Sequence, residues 1–147
     1  MQVSWMGDRP LHTVKKGARM MDVRSIEGTP PSDEHAGTVP VWWLITPREM
    51  YEDTVGGHLE LVSEFEIKGG GKVNPHRHPT FEFYYVTYGR GFMQIGEEVR
   101  EVSQGDLIKI PPDAVHSMWP LSENAPIHCF CFAVAVKDAP PIDYSAH

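Results

Sequence analysis

The sequence predicts an all-β domain built as a barrel or a sandwich. Short runs that alternate apolar and polar residues are separated by turns that contain glycine or proline. Segments with the 3.6-residue period of an amphipathic helix are almost absent. The chain has 147 residues, of which 41% are hydrophobic, so it is long enough for one domain with a packed core.

The first part of the chain lacks the pattern of a barrel strand. Glycine and proline interrupt residues 1–38 so often that no long periodic pattern is left. We therefore expect 1–38 to be an irregular N-terminal arm that packs on the barrel or on a second subunit. Residues 39–147 are expected to form the β-barrel domain.

The elements of this domain can be read from its alternating runs and turns. We expect a first strand at 39–46, where Pro40 indicates an edge, and a helical turn at 47–53. Residues 58–68 alternate in the way that is typical of a half-buried strand. Turns with glycine or proline separate the remaining predicted strands, which are 81–88, 92–95, 99–102, 107–110 and 127–136.

A pair of histidines precedes the 81–88 strand. His76 and His78 are two residues apart in an extended segment, so both imidazoles leave from the same face. Glu82 lies at the start of a strongly hydrophobic strand, where an inward carboxylate is costly unless a cation or a metal pairs with it. Two imidazoles and a carboxylate suit a first-row transition metal, and His116 is the candidate for a fourth ligand.

These residues resemble the first sequence motif of the cupin superfamily. Gly70, His76, His78, Glu82 and Gly89 stand at the spacing of that motif. The resemblance implies a small conserved-barrel double-stranded β-helix, a jelly roll. It also implies one divalent metal, held by His76, His78, Glu82 and His116.

The second motif of that family is matched less fully. Gly105, Pro111 and His116 fit it, whereas Asp113 and Pro120 replace a glycine and an asparagine. Asp tolerates the left-handed turn conformation better than most residues, so we expect the first replacement to be harmless. Cupins include enzymes of several classes, sugar binders and storage proteins, so the resemblance implies no particular reaction.

Three classes of function are compatible with such a site. The favoured class is a non-haem iron oxygenase that acts on a small oxygen-rich organic acid, diketone or phenol. The second is a non-redox isomerase, lyase or decarboxylase that acts on a sugar acid or an oxo-acid. The third is a small-ligand-binding protein without turnover. Iron is the favoured metal, although manganese, nickel, zinc or copper would tolerate the same ligands.

Other side chains are candidates for catalysis or for lining the site. Tyr84 shares the face of the glutamate, where it is either a proton donor to the substrate or a core aromatic. Met118 shares the face of the downstream histidine and is expected to line the pocket. Gln94 is a candidate for hydrogen bonding to the substrate. His128 is either a base that reaches the cavity or a satisfied core histidine.

Two cysteines and two tryptophans lie in strand-like runs. Cys129 and Cys131 face the same side of one strand, so we expect buried thiols and neither a disulfide nor a metal or redox pair. Trp42 and Trp43 are adjacent, so one is expected in the core and the other outside. An exposed tryptophan fits a homodimer contact.

Charge and hydropathy exclude several classes of partner. The net charge of −7 at pH 7 argues against binding to nucleic acid, which needs an excess of basic residues. No apolar run approaches the roughly 20 residues of a membrane span. Residues 1–11 lack the apolar region of a signal peptide, so the cytoplasm is the expected location. The expected partners are a small-molecule substrate and a second copy of the chain.

Overall fold

The computed structural model describes residues 21–34 and 36–137, which form strands and one short helix. Among these residues the elements are β1 (Asp22–Arg24), β2 (Ser32–Glu34), β3 (Val39–Val41), α1 (Pro47–Thr54), β4 (Leu59–Ile67), β5 (Thr80–Tyr88), β6 (Arg90–Ile95), β7 (Glu98–Ser103), β8 (Leu107–Ile110), β9 (His116–Pro120) and β10 (Ile127–Ala135).

Two antiparallel sheets carry the domain. The larger sheet has the strand order β1-β8-β5-β10-β4, and the smaller has the order β7-β6-β9. Aromatic and β-branched residues dominate β5, which suits its position in the interior of the larger sheet. A short pair, β2 and β3, stands apart from both sheets. This antiparallel architecture confirms the predicted all-β fold class.

The main apolar core contains side chains of both sheets. Alternate residues of each strand point to one face, so Val86 and Ile108 of the larger sheet join one buried cluster with Met93 and Met118 of the smaller. None of these four side chains is exposed to solvent. The inward residues of β5, including Glu82 and Tyr84, therefore face this interior.

A second apolar cluster covers part of the outer face of the larger sheet. Phe83 and Leu107 lie there with Val134, and the segment that leads into α1 packs against them through Leu44 and Ile45. Phe83 is completely buried and stacks on Phe132 with ring centroids 4.6 Å apart. The start of β5 is therefore packed on both faces, which makes it a rigid support for side chains that face the interior.

The helix α1 begins with a capping box. Thr46 is the N-cap, its hydroxyl accepts a hydrogen bond from the backbone N–H of Glu49, and the Glu49 carboxylate accepts one from the N–H of Thr46. Arg24 of β1 donates to both Glu49 carboxylate oxygens, at 3.1 and 2.9 Å, and pairs with Asp22 as well. This charge cluster joins the edge of the larger sheet to the helix.

The predicted strand at 39–46 is shorter in the structure. The strand β3 ends at Val41, and the chain then runs irregularly to the helix. Trp42 and Trp43 are 39% and 41% exposed, so the expectation that one of them is in the core is wrong. Alternation between faces applies only within a strand, and both tryptophans lie beyond its end. The homodimer stays a prediction.

The region predicted as an arm contributes a strand to the larger sheet. Residues 1–20 lie outside the described residues. Within the described part, β1 pairs with β8 as an edge strand. Both cysteines are free and buried, as the sequence predicts. Over residues 21–34 and 36–137, we find no helix that is long and apolar enough to cross a membrane.

Candidate metal centre

Four side chains from three segments of the chain meet at one point. The potential ligand atoms of the cluster lie within 4.8 Å of one another. His76 and His78 lie between β4 and β5, and Glu82 is the third residue of β5. His116 begins β9 on the smaller sheet. The residues nominated from the sequence as metal ligands are therefore brought together.

Backbone hydrogen bonds fix the histidine segment against β9. The N–H of His76 donates to the carbonyl of His116 at 3.2 Å, and the N–H of His116 donates back at 2.9 Å. A third bond joins the N–H of Asp113 to the carbonyl of His78 at 2.8 Å. Asp113 has a φ of 60°, so the residue that replaces the motif glycine adopts the left-handed conformation, as expected. The loop before β9 and the histidine segment thus hold each other in place.

Each imidazole of the cluster has its Nδ1 held by an oxygen two residues away along the chain. The oxygens are the carbonyl of Asn74 at 2.8 Å from His76, the hydroxyl of Thr80 at 2.8 Å from His78, and the carbonyl of Ala114 at 2.9 Å from His116. A carbonyl only accepts, so Nδ1 carries the proton in His76 and His116. Such contacts fix the tautomer and the ring orientation of metal-binding histidines, with Nε2 as the ligand atom.

The contact between His116 and Glu82 tests whether a cation fits. Nε2 of His116 lies 3.2 Å from Oε2 of Glu82, yet this buried nitrogen makes no aligned hydrogen bond within the described part of the chain. Since Nδ1 of His116 holds the proton, Nε2 of a neutral His116 directs its lone pair at Oε2 of Glu82. Two acceptors in contact require a proton or a cation between them. A divalent metal meets this requirement for the whole cluster, so the residues fit the ion.

Glu82 is ionised within this cluster. The carboxylate is buried, and its Oε2 lies 2.6 Å from Nε2 of His78. Burial alone would raise the pKa of Glu82, but the protons that His116 and His78 direct at the carboxylate when no metal is bound outweigh it and hold the pKa well below its usual range. Burial also lowers the pKa of His76, which favours the neutral imidazole that a metal needs.

Tyr84 lies beside the cluster, as the spacing predicts. It is 4% exposed, and its ring centroid lies 6.1 Å from that of His116. The rings of Tyr84 and Phe65 pack edge to face, with their centroids 4.9 Å apart. Burial and the charge of Glu82 raise the pKa of the Tyr84 phenol well above its ordinary value. The phenol is therefore a proton donor at neutral pH, and its role in catalysis stays a prediction.

Two of the nominated residues point away from the cluster. His128 is 43% exposed and pairs with Glu66 at 2.7 Å, because it alternates with the buried Ile127 and Cys129 on β10. It is neither a base in the cavity nor a core histidine. Gln94 alternates with buried residues of β6 and donates to the carbonyl of Gly96 at 3.1 Å, so it does not line the interior.

Met118 points inward, as its spacing from the downstream histidine predicts. It is completely buried, and the thiol of Cys129 approaches its sulfur at 3.8 Å. A contribution to substrate lining stays a prediction.

Two residues beside the cluster were not nominated from the sequence. Thr80 is completely buried and holds His78 through its hydroxyl. Cys131 is 2% exposed, and its thiol lies 3.2 Å from Oε1 of Glu82. Burial and the adjacent carboxylate raise the pKa of this thiol. Thr80 could have been found by its spacing, since it shares the parity of His78, whereas Cys131 depends on a strand register that the sequence does not show.

Parts of the sequence are similar to a known family and to two known proteins. The family model described as "Cupin domain" matches residues 63–133. An uncharacterized protein of Methanocaldococcus jannaschii is 36% identical over 76 residues, which cover 51% of this chain and 60% of the relative. Gentisate 1,2-dioxygenase of a Haloferax species is 36% identical over 52 residues, which cover 35% of this chain and 14% of the enzyme. The matches span less than two thirds of either relative.

One of two similar solved structures supports the same fold. A protein of Thermotoga maritima described as a predicted oxalate decarboxylase superposes with a TM-score of 0.50 at 20% identity, covering 78% of this chain and 98% of that one. A cupin protein of Bacteroides fragilis gives a TM-score of 0.48 at 26% identity, covering 58% and 74%. The jelly-roll fold, the matched family model and the histidine–glutamate cluster show that residues 63–133 form a cupin domain.

Proposed function

We propose that His76, His78, Glu82 and His116 bind one divalent transition metal, with iron(II) favoured, and that the protein is an oxygenase. Its substrate would be a small oxygen-rich organic acid, diketone or phenol. The observation that carries this proposal is a short contact between Nε2 of His116 and the Glu82 carboxylate that is not a hydrogen bond. It lies inside a cluster of four side chains that can ligate a metal.

The ligand set favours an ion that reacts with substrate over one that only holds the fold. Three neutral imidazoles and one carboxylate leave a divalent ion with a net charge of about +1. In a six-coordinate ion, these ligands leave two positions for other molecules. Iron(II) held by these four residues would supply the redox chemistry for a reaction between dioxygen and an organic acid.

The protein's own groups prepare the site for an anionic substrate. Tyr84 keeps its proton and lies next to the cluster, where its hydroxyl can donate to a substrate oxygen. Side chains of the main core, among them Met118 and Cys129, lie on the same interior faces and limit the access of water. The nominated base His128 takes no part, because it lies on the outer face.

One relative favours an oxygenase over the non-redox classes. One protein to which this chain is similar is a gentisate 1,2-dioxygenase, matched at 36% identity over 52 residues. The likeness to the Thermotoga protein shows the fold alone, since the two chains are 20% identical. We therefore rank oxygen chemistry above decarboxylation, isomerisation or binding without turnover.

The proposal is tested by oxygen uptake. The purified protein is loaded with iron(II) without air and mixed with gentisate, other hydroxylated aromatic acids, diketones and oxo-acids in an oxygen electrode. We expect uptake that depends on both iron and one substrate class. The uptake should be lost in His76→Ala and kept in His128→Ala, a histidine substitution outside the cluster.

Two other results would overturn the proposal that the protein is an oxygenase. Turnover of a sugar acid or an oxo-acid without oxygen, with manganese or zinc, would assign the site to a non-redox isomerase, lyase or decarboxylase. Tight binding of a small ligand without turnover under either condition would assign it to a binding protein.

A further inference from the structure

The thiol of Cys131 touches the carboxylate of the candidate metal centre. We propose that Cys131 is a positioning residue, which donates its S–H to Oε1 of Glu82 and so holds Oε2 toward the three imidazoles. This inference rests on the proposed metal site, and it assigns a role to a side chain outside the ligand set.

The two oxygens of Glu82 have different partners. Oε2 contacts Nε2 of His78 at 2.6 Å and Nε2 of His116 at 3.2 Å. Oε1 contacts the sulfur of Cys131 at 3.2 Å. A carboxylate can rotate about its last side-chain bond, so a donor on one oxygen selects which oxygen faces the metal.

The sheet register places the thiol beside the carboxylate. Cys131 of β10 pairs with Tyr84 of β5, and Ala133 pairs with Glu82. Cys131 and Glu82 are therefore diagonal neighbours on the inward face of adjacent strands, a distance that side chains span. Glu82 is 7% exposed, so water has little access to replace the thiol as a donor.

The thiol lies outside the set of ligand atoms. The atoms that lie within 4.8 Å of one another belong to the three histidines and Glu82, and Cys131 is not among them. Its contact is with the far oxygen of the carboxylate, which is the position of a group that supports a ligand.

Cys129 provides a matched control on the same strand. Both thiols are buried on the inward face of β10, with 0% exposure for Cys129 and 2% for Cys131. The sulfur of Cys129 approaches the sulfur of Met118 at 3.8 Å, whereas that of Cys131 approaches the carboxylate. Truncation of either thiol removes the same volume from the core, and only one truncation removes the donor to Glu82.

The experiment compares metal affinity and coordination in four proteins. Wild type, Cys131→Ala, Cys131→Ser and Cys129→Ala are titrated with cobalt(II) in competition with a chromophoric chelator, and the visible spectrum of the bound cobalt is recorded. We expect Cys131→Ala to bind cobalt about 10- to 100-fold more weakly, with a changed spectrum. Cys131→Ser, which restores a donor, and Cys129→Ala should stay close to wild type in both readouts.

The outcomes separate this inference from the proposed function. If wild type binds no cobalt, the metal site is wrong and the inference falls with it. If wild type binds but Cys131→Ala matches Cys129→Ala in affinity and spectrum, the metal site stands and the positioning role is wrong. Should Cys131→Ala fail to fold, the isosteric pair Cys131→Thr and Cys131→Val decides, since only threonine can donate.

Discussion

The rings of His76 and His116 lie 4.3 Å apart, centroid to centroid, across a bridge that is made by their backbones and not by their side chains. Either imidazole can therefore be removed without breaking the hydrogen bonds that join the two segments. This separation of roles lets metal binding be tested apart from folding.

His76→Ala should abolish metal binding and leave the domain folded. His76 is the least buried of the four cluster residues, and its backbone bonds to His116 are unchanged by the substitution. The loss of a group that supports a ligand costs about 10- to 100-fold in affinity. The loss of a ligand itself should cost more, so that the ion is lost during purification. Elemental analysis of the purified proteins measures the bound metal. Unchanged metal content in His76→Ala, with His128→Ala as the control, would refute the ligand assignment.

Thr80→Val should weaken the metal site without removing a ligand. Valine keeps the shape of threonine but leaves Nδ1 of the buried His78 without its 2.8 Å partner. We expect metal affinity to fall about 10- to 100-fold and the metal-free protein to lose about 1–3 kcal/mol of unfolding free energy. Chelator competition and urea unfolding measure the two effects. Thr80→Ser keeps the hydroxyl and should restore most of the affinity, and equal affinities in the two variants would contradict the role of Thr80.

The Arg24–Glu49 contact should make stability depend on pH in the acid range. Burial alone would raise the pKa of Glu49, but hydrogen bonds from Arg24 and from the N–H of Thr46 outweigh it and lower the pKa from 4.5. The unfolded chain thus binds the proton more readily than the folded one. The stabilisation is complete above about pH 4.5 and is lost as the pH falls through the lower folded value.

Glu49→Gln checks this pH dependence against a control on the same helix. The free energy of unfolding of Glu49→Gln should lie below that of wild type at neutral pH, and the two should converge in acid. Glu52 pairs with Arg48 on the solvent side of the helix, where it is 59% exposed, so Glu52→Gln should change little. If the free energies of unfolding of wild type and Glu49→Gln differed by the same amount from pH 3 to pH 7, the ion pair would not be the cause of the difference.

Gly57→Ala should destabilise the domain. A Cβ at Gly57 would lie 1.8 Å from the carbonyl oxygen of Ala135, so either this backbone or the end of β10 must move. We expect a loss of about 1–3 kcal/mol in the free energy of unfolding, as for other overpacked sites. Gly28→Ala is the control, because its nearest neighbour would be 4.0 Å away. Equal free energies of unfolding of the two variants would contradict the close approach of Gly57 to the Ala135 carbonyl.

The strands could be predicted from the sequence because their faces differ in polarity. The predicted strand 107–110 coincides with β8, and the predicted strand 58–68 contains β4 with one extra residue at each end. The predicted strand at 39–46 is too long, because apolar residues continue beyond the end of β3, and β9 at His116–Pro120 was not predicted as a strand. Trp42 and Trp43 follow the end of β3, and their hydrophobicity does not distinguish them from strand residues.

The site was predictable where spacing along one chain segment decides the geometry. His76, His78 and Glu82 follow that rule, and so does Thr80, which supports His78. The other supporting groups do not follow it. Two of the Nδ1 partners are backbone carbonyls, which any residue provides, and the contact of Cys131 depends on pairing between distant strands. His128 could have been excluded, because it alternates with the two inward cysteines on one strand.

The bridge between His76 and His116 also bears on how a bound ion would change unfolding. The strands β5 to β8 lie between the histidine pair and the third histidine along the chain, so the ligands are close together only after this whole stretch has folded back on itself. An ion that binds all of them has no comparable site in the extended chain. Added metal should therefore raise the melting temperature in proportion to the logarithm of its free concentration, and a chelator should reverse the gain.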